Sequence, residues 1–266
     1  MARRYGKIYL NKLFATAKEE TMSTDLPRPT LLEVLREEKK NRRQGGIYHK
    51  IQIELTYNSN HMEGSRLTAE ETRYIYETNT VGLSGGTMNV NDIVETANHF
   101  QCINLIIDEA EAPLSEALLK KLHAILKNGT ADARLDYFAV GEYKRLPNEV
   151  GGKETTPPEE VPEKIKALLK TYENKHTRDF DTLLDFHCQF ERIHPFQDGN
   201  GRVGRLILFK ECLRNSIVPF IIQDDLKMFY YRGLSEWSKE RGFLRDTCLT
   251  AQDRFRKYLD YFRIAD

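Results

Sequence analysis

Apolar residues along this chain recur mainly at intervals of three and four, the period of a helix with one buried face. Leu31, Leu32, Val34 and Leu35 follow Thr30, a good N-cap residue, and predict a short helix after the breaks at Pro27 and Pro29. Ile47, Ile51 and Leu55 mark a helix from Ile47 to Met62, stopped by Gly64. Thr68-Ala-Glu-Glu has the form of a capping box and opens a helix through Ile75 and Tyr76. After a loop rich in Gly, Asn and Thr (78–87), Asn89 or Asn91 starts a helix with Ile93, Ala97, Phe100 and Ile107 at core spacing. Pro113-Leu-Ser115 begins another, with Leu118, Leu122, Ile125 and Leu126 inward, ended by Asn128-Gly129. Further helical faces follow from Pro162, over 180–193, from about 200 to 213, through Leu226, Tyr230, Leu234 and Trp237, and over 248–262. Residues 218–222 (VPFII) read as a short buried run.

One segment lacks the helical period. In GEYKRLPNEVGGKETTPP (141–158), Gly151-Gly152 between two short extended runs predicts a hairpin, and Pro147 confines its first strand to an edge. The expected fold class is therefore all-α, mainly helical, with a small β-hairpin over 141–156. Residues 1–45 read as an N-terminal arm, 46–245 as the main domain and 246–266 as a C-terminal helix.

Composition narrows the class further. A chain of 266 residues can bury a sizeable core. Lys plus Arg and Asp plus Glu balance at 40 each, so no global field points to nucleic acid or to a membrane, and neither is expected as a partner. Cys102, Cys188, Cys212 and Cys248 are far apart, lack CxxC spacing and sit in apolar helical patterns, which predicts buried free thiols in a reducing compartment. No apolar run approaches a membrane span, and the basic start lacks the apolar stretch of a signal peptide, so a cytoplasmic location is expected.

The chemistry is concentrated in His194-Pro-Phe-Gln-Asp-Gly-Asn-Gly-Arg-Val-Gly-Arg205, between two helical patterns. Asp198-Gly-Asn-Gly is turn chemistry, and a turn feeding a helix start offers unpaired N–H groups and a positive dipole end to an anion. Arg202 and Arg205 are three apart and share a face of the first turns. An acidic Asp198 in a place prepared for anions makes sense if a divalent cation bridges it to a polyphosphate.

The run HPFxDGNGRxxR resembles the active-site signature of the Fic (filamentation induced by cAMP) family at every defining position; nine fixed residues coincide by chance at a frequency of roughly 10⁻¹² per position. Ser59-Asn-His-Met-Glu63-Gly64 is similar to that family's inhibitory motif, [ST]xxxE[GN], whose chance expectation in a chain of this length is about 0.2. The resemblance implies a mainly helical Fic fold whose hairpin is a flap that aligns a target segment by strand addition. Lys144 stands where the family usually has Arg. It further implies transfer of AMP from ATP to a Ser, Thr or Tyr hydroxyl of a protein, this chain itself included among candidate targets. His194 would be the general base and Phe196 the anchor of the loop. Asp198 would hold Mg²⁺. Gly199, Asn200 (with its side chain) and Gly201 would cradle the phosphates, Arg202 would face the β- and Arg205 the γ-phosphate. Tyr230, Tyr231 and Trp237 are candidates to border the base. Glu63, supported by Ser59, would inhibit by taking Arg205 from the γ-phosphate. The same scaffold is compatible with removal of AMP, with transfer of another phosphate-containing group, or with a non-catalytic nucleotide-sensing module; self-association fits the resemblance as well.

Overall fold

In the computed structural model, residues 27–82 and 87–266 are described; residues 1–26 of the expected arm and 83–86 of the expected loop lie outside that range. Ten α-helices and one two-stranded antiparallel sheet make up the described fold. The helices are α1 (Leu31–Asn41), α2 (Ile47–Met62), α3 (Ala69–Thr78), α4 (Val90–Asp108), α5 (Glu116–Lys127), α6 (Val161–Glu173), α7 (Phe180–Ile193), α8 (Asn200–Arg214), α9 (Lys227–Glu236) and α10 (Gly242–Phe262). The strands β1 (Glu149–Val150) and β2 (Lys153–Glu154) pair as Glu149 with Glu154 and Val150 with Lys153, joined by Gly151 and Gly152 at positive φ. The fold is all-α with a small hairpin, as the periodicity predicts.

Local chemistry accounts for most helix boundaries. Thr30 and Thr68 form reciprocal capping boxes with Glu33 and Glu71, while Asn89, Ser115 and Asp179 cap α4, α5 and α7 with side-chain oxygens. α10 begins at Gly242, six residues before the predicted Cys248.

α8 is the axis of the molecule: every residue from Asn200 to Leu213 is buried, and α2, α4, α5 and α7 pack around it. The strip Ile47, Ile51, Leu55 of α2 faces this core, and the same four-residue step continues to Ser59 and Glu63. The inhibitory-motif residues therefore point inward because the core residues do. α4 serves two clusters. Cys102, Ile103, Ile106 and Ile107 join the main core, whereas Phe100, with Ile93 and Ala97 beside it, packs on Leu67 and Ile75 near α3. All four cysteines are buried and free. Among the described residues no helix is long and apolar enough to cross a membrane.

Candidate active site

The site forms where α7 stops and α8 starts. His194 takes left-handed backbone (φ 52) and ends α7, its N–H donating to the Phe190 carbonyl at 3.0 Å. Phe196 plugs into the core with its ring stacked 4.1 Å from that of His123. The Asn200 side chain ties the loop to itself, accepting from the Phe196 N–H and donating to the Phe196 carbonyl, each at 2.8 Å. Both polar ends of Asn200 are thus engaged inside the loop, so its expected place in the phosphate cradle falls to main chain. Gly199, at φ 81, turns the backbone into α8, whose first internal bond is Val203 N–H to Gly199 carbonyl at 3.0 Å. The N–H groups of Asn200, Gly201 and Arg202 consequently have no partner within the helix and make its start an anion slot.

His194 is set up as a proton acceptor. Burial pulls its imidazole below the ordinary histidine range, and the charge of Lys144 adds to that. Its Nδ1 lies 3.3 Å from the Glu191 carbonyl. A carbonyl only accepts, so the ring proton belongs on Nδ1 and the lone pair on Nε2.

Asp198 sits in a charge cluster that sequence reasoning does not reveal. Its Oδ2 accepts from Lys127 Nζ at 2.7 Å and from Arg202 Nη2 at 3.0 Å. Glu95 on α4 grips both cations, one carboxylate oxygen on Lys127 and the other on Arg202. Asp132 joins Lys127 at 3.1 Å. Burial alone would raise the Asp198 carboxyl, but Arg202 and Lys127 override it and hold it below the usual carboxylate range. Asp198 is 45 % exposed and ionised, and among the described residues its second oxygen carries no side-chain cation. Such a donor suits a hard divalent ion that keeps most of its waters.

Arg205 is buried and held through its Nε and Nη2 by the end of α2. Its Nε donates to Ser59 Oγ at 3.0 Å, and its Nη2 to the Ser59 carbonyl at 2.8 Å and to Glu63 Oε1 at 2.7 Å. The same Glu63 oxygen lies against Gly201, where a Cβ would meet it at 2.3 Å. Glycine at 201 is what lets a carboxylate approach the first turn of α8 so closely. Beneath Arg205 lies a floor of His187, Tyr230 and Glu191. The Tyr230 hydroxyl is 2.6 Å from His187 Nε2, and the ring is wholly buried. Of the three aromatic candidates to border a base, Tyr230 packs beside Arg205, and Trp237 is buried with its Nε1 donating to Asp185 at 2.8 Å. Tyr231 keeps 37 % of its surface exposed at the rim. Burial pushes Glu191 up to about 8 against the pull of Arg205, and among the described residues its Oε1 has no hydrogen-bond partner.

The hairpin is bolted to the signature loop. Lys144 donates its N–H to the Pro195 carbonyl at 2.9 Å, and its Nζ to Asn148 Oδ1, Thr155 Oγ1 and the Ile193 carbonyl. Asn148 Nδ2 in turn donates to the Phe196 carbonyl at 3.1 Å. Lys144 is buried, and with only neutral acceptors on its ammonium, desolvation lowers it to about 8.

Fold and site together define a helical domain in which the N-terminus of a buried helix offers N–H groups suited to an anion, with His194 and Asp198 at hand. Residues 113–211 match the Fic/DOC family. It is similar over 220 residues (24 % identity, 80 % of this chain and 40 % of the relative) to the protein adenylyltransferase fic-1 of Caenorhabditis elegans. Over 225 residues it is 27 % identical to the protein adenylyltransferase Fic of Drosophila willistoni, covering 79 % of this chain and 40 % of the relative. The chain thus spans about 40 % of the length of these curated relatives. Among solved structures, a Fic-domain-containing signalling protein of Bacteroides thetaiotaomicron superposes with a TM-score of 0.64 at 25 % identity, covering 86 % of this chain and 90 % of that one. Fic-1 of Caenorhabditis elegans gives 0.67 at 18 % identity, covering 87 % of this chain and 71 % of that one, and speaks for the fold.

Proposed function

We propose that this chain is a protein adenylyltransferase that moves AMP from ATP to a hydroxyl side chain of a protein and is held back by its own Glu63. The observation that carries the reading is the Glu63 carboxylate resting on both Arg205 and Gly201, an anion already seated at the anion slot. The same slot supports a phosphate of ATP, since free N–H groups, the helix dipole and a guanidinium favour either anion.

In this mechanism the N–H groups of Asn200, Gly201 and Arg202 orient the phosphates. Mg²⁺, held by Asp198, would neutralise the charge of the α- and β-phosphates. His194 Nε2 takes the proton of the target hydroxyl, whose oxygen bonds to the α-phosphorus while the bond to the β-phosphate oxygen breaks and pyrophosphate leaves. Positioning and charge stabilisation account for most of such a reaction. The hairpin aligns the target by main-chain pairing. With Glu63 on Arg205, the γ-phosphate lacks its guanidinium and the α-phosphate sits out of line.

The deciding experiment incubates wild type and Glu63→Gly with ATP labelled at the α- or the γ-phosphate. Label from the α-position alone should appear on protein, and more of it with Glu63→Gly. Protein labelled from the γ-phosphate would instead mean phosphate transfer, and no label from either position would favour a nucleotide sensor.

A further inference from the structure

Lys127 sits among three acids whose spacing could hold a metal ion. Glu95 of α4, Asp132 just beyond α5 and Asp198 of the signature loop each turn one carboxylate oxygen to a common centre, and these atoms lie within 4.8 Å of one another. Lys127 Nζ occupies that centre, 2.7 Å from Asp198 and 3.1 Å from Asp132, with Glu95 also in contact. Its side chain is 1 % exposed. Arg202 lies outside the centre, on the far oxygen of Glu95 and on Asp198. Three acids face two bases, so the cluster keeps one negative charge, and Asp198 is its most solvent-exposed member at 45 %.

We propose that Lys127 is a built-in cation that takes the seat of a second metal ion, so that the site, read as an ATP site, accepts one divalent ion, on the outer oxygen of Asp198. Many phosphoryl-transfer sites use two metals to clamp their substrate. Here an ammonium donates to the three acids, fixes the inner oxygen of Asp198 and, through Glu95, aims Arg202. Lys127 and Glu95 are thus positioning residues for the metal ligand and for an arginine at the anion slot. Lysine suits the role as a compact point charge with three donors, which matches three converging carboxylates.

Removing the ammonium should uncover a metal site. Nucleotide-free wild type, Lys127→Met and Lys127→Met/Glu95→Gln are titrated with Mn²⁺, with the free ion followed by electron paramagnetic resonance and melting recorded with and without the metal. Lys127→Met should gain one Mn²⁺ per chain, bound at least about tenfold tighter than in wild type, equivalent to ~1.4 kcal/mol. Its melting temperature should rise with Mn²⁺, including the case in which it folds only with the ion. The double variant loses one acid together with the base, keeps the cluster charge and should gain no site. With a non-transferable ATP analogue, wild type should hold one Mn²⁺ per chain and Lys127→Met two. Unchanged Mn²⁺ affinity in Lys127→Met, a Lys127→Met chain unfolded with and without Mn²⁺, or an equal gain in the double variant would each overturn the proposal. None of these measurements uses transfer, so a failure of the AMP-transfer reading is seen separately in the labelled-ATP experiment.

Discussion

The hydroxyl of Tyr231 donates to the carbonyl of Met62 at 3.0 Å, one residue before Glu63. α9 therefore holds the end of α2 in the position that lets Glu63 reach Arg205. His61 on the same turn lies 3.4 Å from Asp224, just before α9. Tyr231→Phe removes one hydrogen bond, about 0.5–1.5 kcal/mol. Basal AMP incorporation should rise about two- to tenfold, with ATP affinity little changed. A rate equal to wild type would show that the end of α2 is held without this contact.

Glu63→Gly should release more. Coupling of about 1–3 kcal/mol corresponds to a roughly 5–150-fold change in the competent fraction. Arg205→Ala should not imitate it, because in the proposed mechanism the guanidinium that Glu63 occupies is also the one offered to the γ-phosphate. Ser59→Ala, which loses only the 3.0 Å bond to Arg205 Nε, should lie between wild type and Glu63→Gly. Incorporation of α-labelled AMP at saturating ATP and Mg²⁺ ranks the four proteins.

His194→Ala should lower transfer by about 10²–10⁴-fold and leave ATP binding nearly intact. A general base must be unprotonated, and burial holds His194 below its ordinary value. The rate limited by this group should therefore rise with pH and level off below about 6.5, the unperturbed histidine value. A limb still climbing between pH 7 and 8 would assign the proton transfer elsewhere.

Lys144→Met should unfasten the hairpin. β1 and β2 have only two residues each, all exposed, so the flap depends on Lys144, Asn148 and Thr155 for its place. Trypsin should cut after Arg145 or Lys153 several-fold faster in the variant, and KM for a protein target should rise while that for ATP stays. Lys144→Arg, the residue usual in the family, should restore both. Unchanged proteolysis would mean that the main-chain bonds hold the flap alone.

Glu191→Gln tests the floor beneath Arg205. In the fold the Glu191 carboxyl is pushed up to about 8, whereas the unfolded chain has the ordinary value near 4.5. Folding thus binds a proton, and the stability this gives is complete below the unfolded value and lost as pH rises through about 8. Glutamine has no proton to bind. The melting temperature of wild type should fall relative to Glu191→Gln between about pH 5 and pH 8, with the gap widest at the alkaline end. Parallel curves would show an ionised, paired Glu191.

The sequence by itself determined the elements and the signature, because both are written in neighbouring residues. A period of three to four, Thr30 and Thr68 as caps, Gly151-Gly152 as a turn and the run His194–Arg205 each act within a few positions of the chain. Ile47, Ile51 and Leu55 likewise marked the buried face of α2. Only the tertiary structure decided what stands opposite. Lys127 reads locally as an ordinary cation ending a helix, yet its partners Glu95 and Asp198 are 32 and 71 residues away. Glu95 meets Arg202 across 107 residues. Tyr230 and Tyr231 are adjacent in sequence, but one is wholly buried against His187 and the other remains at the rim, since successive residues of a helix point about 100° apart. Burial supplied the rest: the lowered His194, the raised Glu191 and the lowered Lys144 owe their shifts first to desolvation, a property of surrounding packing that no stretch of sequence carries.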